Sequence, residues 1–201
     1  MTATSAPLLP ESAGATAKGS TARGTYAYVK DCLGSSGLDT VRARLDAATR
    51  ARLDTVEATE EIPYPYLVAL WEVIDEVLGG RYPQWAEDAG AFSIDSVGVQ
   101  LYGGILRKAS PSVFLTQSIS LFRLYYHPGD ITAVEEVAGR AVLRLLDFDP
   151  ITRLFCRRQT GGLRRAVELA GGDSARVRHV RCSIEGDAFC EWQLEWHVPR
   201  G

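Results

Sequence analysis

The sequence predicts an α+β fold, in which a helical N-terminal half packs on a four-stranded antiparallel sheet made of two hairpins with a long helix between them. Two observations predict it. Apolar residues recur at helical spacing as far as His127, and the period changes to two after Gly129. The later part of the chain then gives hairpin, helix and hairpin, and such segregation of helices and antiparallel strands is typical of α+β proteins. A chain of 201 residues fits one domain, which we expect over residues 25–199.

The first 24 residues differ in composition from the rest of the chain. They consist mainly of Ala, Ser, Thr, Gly and Pro and include few large apolar side chains. Burial of such side chains does not offset the entropy lost on ordering, so we expect a disordered tail over residues 1–24. An arm that binds a partner protein is the alternative.

The next hundred residues predict a series of helices separated by glycine and proline. A first short helix ends at Gly34, and a strongly apolar one is stopped by Gly79 and Gly80. The segment 62–66 is a connector because each of its prolines restricts the residue before it. The last helix of this series begins at Ser110 and ends near His127. The other predicted helices span 26–33, 38–56, 66–78 and 84–108.

The second half predicts strands and one further helix. Residues 131–137 and 140–148 form a hairpin that turns at Ala138 and Gly139. A helix over residues 151–170 follows, and a glycine pair closes it. The last hairpin turns at residues 185–187, and its second strand alternates apolar and polar side chains from position 190 onwards.

The last hairpin brings two cysteines close together. If Ile184 pairs with Ala188 around a three-residue loop, Cys182 lies directly opposite Cys190. Cross-strand neighbours have Cβ atoms about 4.5–5.5 Å apart. The pairing therefore predicts two adjacent thiols at the edge of the core.

A third cysteine and a histidine complete a candidate metal site. Cys156 lies near the start of the last helix, and the spacing Cys-x22-His-x2-Cys-x7-Cys joins it to His179, Cys182 and Cys190. Zinc takes four tetrahedral ligands from such residues, and the site would clamp the helix to the hairpin. However, His179 and Cys182 fall on opposite faces of a regular strand, so the site needs a β-bulge. The alternative is that all four are small buried residues, and we expect Cys32 to be a core residue.

The hairpin also carries a family resemblance. Its pattern C-x3-G-D-x2-C-x-W-x-L-x-W resembles the C-terminal signature of the vinyl-reductase-type small-molecule-binding domain, whose fold is related to the heme-nitric-oxide-binding domain and to subunits of the TRAPP vesicle-tethering complex. The helical half is similar to myxobacterial paralogues built on the same fold. The residues that carry the pattern are Cys182, Gly186, Asp187, Cys190, Trp192, Leu194 and Trp196.

The resemblance implies a structural zinc ion. In the aromatic-responsive members of the family, three cysteines and an acidic residue hold zinc, and the cysteines correspond to Cys156, Cys182 and Cys190. The position of the family's acidic ligand falls at or beside His179. A histidine in place of an acidic residue departs from the family pattern and leaves the fourth ligand open. Neutral imidazole is a competent replacement because it binds zinc well.

The resemblance also implies a pocket for a small hydrophobic or aromatic ligand. Tyr102, Phe122, Tyr125 and Trp192 are the candidate lining residues, and plain core aromatics are the alternative. Heme is not expected, because the heme-binding relatives need an axial histidine and a Tyr-x-Ser-x-Arg clamp that this sequence lacks. We expect His127 to cap a helix end rather than to bind a metal.

Charge and apolar pattern exclude several functions. The net charge of −3, with both signs interspersed, does not indicate nucleic-acid binding. We find no run of about 18 apolar residues and no signal peptide, so a cytoplasmic, reducing setting is expected. We expect the arginines to be solvated, with an anion site at Arg157 and Arg158 as the alternative. These arginines are Arg123, Arg144, Arg153, Arg157, Arg158, Arg164 and Arg165.

These features predict a cytoplasmic sensory or regulatory domain that binds a small hydrophobic ligand, holds a structural zinc ion and passes its signal to a partner protein. The sequence shows no catalytic motif, so an enzyme is not expected. The alternative is a ligand-free interaction scaffold that dimerises through its helices. Bulky side chains such as Trp71 and Phe122 in the interior would favour that alternative.

Overall fold

A computed structural model describes residues 14–98 and 110–197 and confirms the α+β fold. The helices are α1 Gly19–Arg44, α2 Ala47–Asp54, α3 Pro65–Leu78, α4 Trp85–Ser93 with a π-helical turn Ile94–Gly98, α5 Pro111–Tyr125 and α6 Arg153–Leu169. The strands are β1 Thr16–Lys18, β2 Glu61–Pro63, β3 Tyr126–His127, β4 Asp130–Val137, β5 Arg140–Leu146, β6 Asp173–Arg181 and β7 Cys190–His197, and a 3-10 turn spans Ser183–Glu185.

The two predicted hairpins form the expected four-stranded antiparallel sheet, in the order β4-β5-β7-β6. A second sheet, in the order β2-β1-β3, was not predicted. Its strands are only two or three residues long. Such short strands do not show the alternation of side chains that identifies a strand in sequence.

The N-terminal segment corrects the predicted tail. Disorder as far as residue 24 is wrong, because β1 begins at Thr16 and α1 begins at Gly19. The backbone N–H of Gly19 donates to Glu60 O at 2.8 Å, and a Cβ atom at this position would lie 2.1 Å from Glu57 O. Glycine is therefore required at position 19 for close packing. Residues 1–13 lie outside the described part of the chain.

The first helix does not end at Gly34 as predicted. Gly34 adopts a left-handed conformation, with φ of 70°, and kinks α1, which then continues to Arg44. Glycine adopts this conformation at little cost because it has no Cβ atom. Cys32 is exposed, so the prediction that it is a core residue is wrong.

The predicted helix over 38–56 is divided between the end of α1 and α2, which begins at Ala47, whereas the later helices begin near the predicted positions. The Ser110 hydroxyl accepts a hydrogen bond from the N–H of Val113 at 3.3 Å, and the Thr152 hydroxyl caps α6 in the same way. The predicted helix over 84–108 is α4, which continues into the π-helical turn, and the rest of it lies outside the described residues. In the described ranges, no helix combines the length and apolar character needed to span a bilayer.

Helices α4 and α6 approach each other closely because glycines line their contact. A Cβ atom on Gly161 would lie 1.8 Å from Glu87 O, and one on Gly90 would lie 2.0 Å from Arg158 O. The prediction of close packing is confirmed for Gly161 but not for Gly162, where the nearest atom to an added Cβ atom would be 3.7 Å away. Gly103 and Gly104 lie outside the described residues.

An aromatic cluster joins the small sheet to α5 and α6. Tyr64 is fully buried, and its ring contacts those of Tyr126, Phe148 and Phe155 edge-on, with centroids 5.0–6.1 Å apart. The Tyr64 hydroxyl donates to the carbonyl of Pro150 at 2.8 Å. This cluster holds the small sheet against the segment that leads into α6.

Candidate functional site

The structure brings the four predicted metal ligands together. Cys156 lies in the first turn of α6, His179 in β6, Cys182 directly after β6 and Cys190 at the start of β7. Their ligand atoms all lie within 4.8 Å of one another, and the three cysteines are buried. The chain thus places three sulfur atoms and an imidazole nitrogen where the helix meets the hairpin.

A β-bulge makes this arrangement possible. His179 pairs with Trp192, but Arg181 pairs with Glu191, so β6 has one extra residue at this point. The bulge resolves the objection that His179 and Cys182 lie on opposite faces of a regular strand. The His179 ring stacks on the Trp192 ring with centroids 4.8 Å apart.

The turn between the strands differs from the predicted loop. Ile184 does not pair with Ala188, because residues Ser183–Glu185 form a 3-10 turn and Ile184 is exposed. The Asp187 carboxylate accepts a hydrogen bond from the N–H of Cys182 at 2.8 Å. This bond fixes the backbone of Cys182 beside the other ligands, as groups around metal ligands commonly do.

Two of the cysteines have strongly different acidity. The Cys156 and Cys190 sulfur atoms lie 3.7 Å apart. Hydrogen bonds from Cys156 and from Ser183 hold the pKa of Cys190 well below its ordinary value, while the hydrogen bond with Cys190 and burial raise the pKa of Cys156. Cys190 is therefore the thiolate of the pair. Sulfur and imidazole ligands with one thiolate already formed suit a d-block metal ion.

Three of the four predicted pocket residues lie in the described part of the chain. Phe122 is buried in the aromatic cluster, and Trp192 is fully buried with its indole N–H on the Thr160 hydroxyl at 3.0 Å. Tyr125 is half-buried at a shallow cleft beside β1 and β3. Tyr102 lies outside the described residues. Trp71, like Phe122, is buried.

Two further residues differ from their predicted places. His127 is not a helix cap but lies exposed in β3, paired with Thr16 of β1. Arg158 is not on the surface: it is only 6% exposed, and burial lowers the pKa of its guanidinium. In the sequence, Arg158 was distinguished from the other arginines only by the alternative prediction of an anion site at Arg157 and Arg158. Arg157 pairs with Glu87.

The architecture matches several solved structures over nearly the whole chain. An H-NOX protein from K. algicida, in the Fe(II) unliganded state, superimposes with a TM-score of 0.71 at 12% identity, over 90% of this chain and 97% of that one. An H-NOX protein from S. oneidensis, in the Fe(II)NO state, superimposes with a TM-score of 0.71 at 14% identity. The match covers 90% of this chain and 99% of that one. A structure concerned with heme redox potential and protein-induced porphyrin distortion superimposes with a TM-score of 0.66 at 13% identity. The match covers 92% of this chain and 97% of that one. The fold is the H-NOX fold.

The H-NOX match corrects two expectations. The resemblance to vinyl-reductase-type and TRAPP proteins is wrong, because the matched structures are H-NOX proteins. In the sequence analysis, the heme-nitric-oxide-binding (H-NOX) domain was only a related fold. The expectation of a zinc cofactor without heme is corrected as well, since the matched structures include ones concerned with heme redox potential and with heme distortion in the H-NOX family. No protein-family model matches the chain, and no curated protein matches it.

The described residues do not fit an H-NOX heme. A heme iron takes an axial ligand such as histidine from the protein. The chain has three histidines, His127, His179 and His197, and each lies in a strand rather than in a helix of the N-terminal half. The aromatic rings around Tyr64 are also mostly buried and closely packed, with centroids 5.0 Å and 6.1 Å from the Tyr64 ring for Phe148 and Phe155.

Proposed function

We propose that this chain is a regulatory domain on the H-NOX fold that binds a metal ion through Cys156, His179, Cys182 and Cys190 and passes the state of that site to a partner protein. The observation that carries the proposal is the clustering of their four ligand atoms within 4.8 Å. Three buried sulfur atoms and one imidazole favour a d-block ion over magnesium or calcium, which prefer oxygen ligands.

The position of the site explains how it could regulate. Cys156 belongs to α6, whereas the other ligands belong to the hairpin of β6 and β7. A bound ion would therefore fix the hairpin to the helix, and its loss would free them to move relative to each other. A partner protein that binds this region would detect the difference through its affinity for the two states.

A cobalt titration tests the metal site. The full chain is stripped with a chelator and titrated with Co²⁺, whose visible spectrum reports tetrahedral sulfur ligands. We expect one ion per chain, with sulfur-to-metal charge transfer. Cys156→Ser should lose this spectrum, and Cys32→Ser, at an exposed cysteine, should retain it. A spectrum that depends on Cys32, or no binding at all, would overturn the proposal.

A second candidate function is an interaction scaffold that binds no small ligand. The buried positions of Trp71 and Phe122 favour it, because they fill part of the interior in which a ligand was expected. The scaffold would bind its partner equally well with and without metal. Partner binding measured before and after treatment with a chelator therefore separates the two functions.

A further inference from the structure

Arg158 is a buried charge that the proposed metal site does not use. Its side chain is 6% exposed. One terminal nitrogen, Nη2, donates to the hydroxyl of Ser93 at 3.2 Å, and the other, Nη1, is buried and has no hydrogen-bond partner among the described residues. A buried charged group that lacks an opposite charge is costly. Arg158 therefore offers a strong donor that the described protein groups leave unused.

The surroundings of Arg158 are aromatic. Its guanidinium carbon lies 4.9 Å from the centre of the Trp71 ring, which provides a cation–π contact. The titratable groups that face it are Tyr126, Tyr64 and Tyr28. Burial raises the pKa of each of these tyrosines, so they are neutral at pH 7. None of them supplies the negative charge that would balance Arg158.

The position of Arg158 is set by the close contact of α4 and α6. Its carbonyl oxygen lies against Gly90, and Ser93, which accepts its hydrogen bond, is the last residue of α4. The π-helical turn Ile94–Gly98 begins at the next residue. Such turns are rare and occur frequently at functional sites. The free donor thus lies beside a helix irregularity of the kind found at binding sites.

We propose that Arg158 anchors a binding site for a small monocarboxylate, whose apolar body packs against Trp71 and the neighbouring tyrosines. The planar guanidinium matches a carboxylate in shape and charge. One negative charge makes a neutral pair with Arg158, whereas a divalent phosphate would leave an excess charge in aromatic surroundings. The site uses none of the four metal ligands, so it adds a second input to the proposed regulatory domain.

Thermal unfolding of the full chain tests this site. Benzoate and acetate are the probes, and chloride at equal ionic strength is the reference. We expect a saturable rise in the unfolding midpoint with benzoate, of about 5–10 °C at 100 times its dissociation constant. Arg158→Met should lose the rise. Arg164→Met, at an exposed arginine on the same helix, should retain it.

A second variant covers the case in which Arg158→Met does not fold. Arg158→Lys keeps the charge but loses the planar donors, and it should weaken benzoate binding at least about tenfold. The proposal is overturned if the wild-type chain shows no saturable response, if chloride acts as strongly as benzoate, or if either Arg158 variant responds like the wild type. Saturable binding that depends on Arg158 would also exclude the ligand-free scaffold, whatever the outcome of the cobalt titration.

Discussion

The Sγ atoms of Cys156 and Cys190 lie 3.7 Å apart, at the junction of α6 with β7. Each thiol changes the acidity of the other, because the hydrogen bond between them favours a thiolate on Cys190 and a thiol on Cys156. A metal ion must displace protons from its sulfur ligands. The pair therefore offers one sulfur that is already deprotonated near neutral pH.

The acidity of Cys190 predicts a dependence on pH. Its hydrogen bonds from Cys156 and Ser183 lower its pKa to about 4, below the value of about 8.5 in an unfolded chain. The thiolate therefore contributes stability that is complete above pH of about 8.5 and is lost as the pH falls through about 4. After chelator treatment, we expect ultraviolet thiolate absorbance at pH 7 in Cys32→Ser but not in Cys190→Ser. Equal absorbance in both variants would contradict this prediction.

His179 is expected to be the fourth ligand. Replacement of an outer-shell partner typically costs 10–100-fold in metal affinity, so His179→Gln, which removes a direct ligand, should cost about 100-fold or more. His197→Gln is the matched control, because His197 lies exposed at the end of β7. The affinities are measured by competition between each variant and a chromophoric chelator. A loss of affinity in the His197 variant alone would show that the ligand has been misassigned.

Close packing of α4 on α6 predicts opposite results for two adjacent glycines. A Cβ atom on Gly161 would lie 1.8 Å from Glu87 O, whereas the nearest atom to one on Gly162 is 3.7 Å away. Gly161→Ala should therefore lower the free energy of unfolding by about 1–3 kcal/mol. Gly162→Ala should be neutral or stabilise by up to about 1 kcal/mol, because alanine favours helices. Urea denaturation measures both, and equal losses would refute the packing argument.

The sequence was sufficient where a local pattern decides the structure. Alternation from Cys190 onwards predicted a strand whose inward face carries Trp192, and both residues are buried. The spacing of His179 and Cys182 even required the bulge that β6 contains. In these cases, the period of the side chains within one element carries the information.

Other features depend on contacts between distant parts of the chain. Arg158 resembles its neighbouring arginines in sequence, but the approach of α4 at Gly90 buries it. Gly19 is in a segment whose composition predicts disorder, yet it contacts Glu57 and Glu60. Composition within a short window does not reveal such partners, so the order of this segment and the buried charge could not be predicted.

Tyr64 should matter to stability through its hydroxyl as well as its ring. The hydroxyl donates to the carbonyl of Pro150 at 2.8 Å in a fully buried position. Tyr64→Phe keeps the ring contacts and removes this hydrogen bond, while the N–H of Thr152 still donates to the same carbonyl, so the change should cost about 0.5–1.5 kcal/mol. Tyr66→Phe, at a partly exposed position two residues away, should change stability by less than about 0.5 kcal/mol. Urea unfolding compares the two variants, and equal effects would mean that the buried hydrogen bond does not stabilise the junction between the small sheet and the segment that leads into α6.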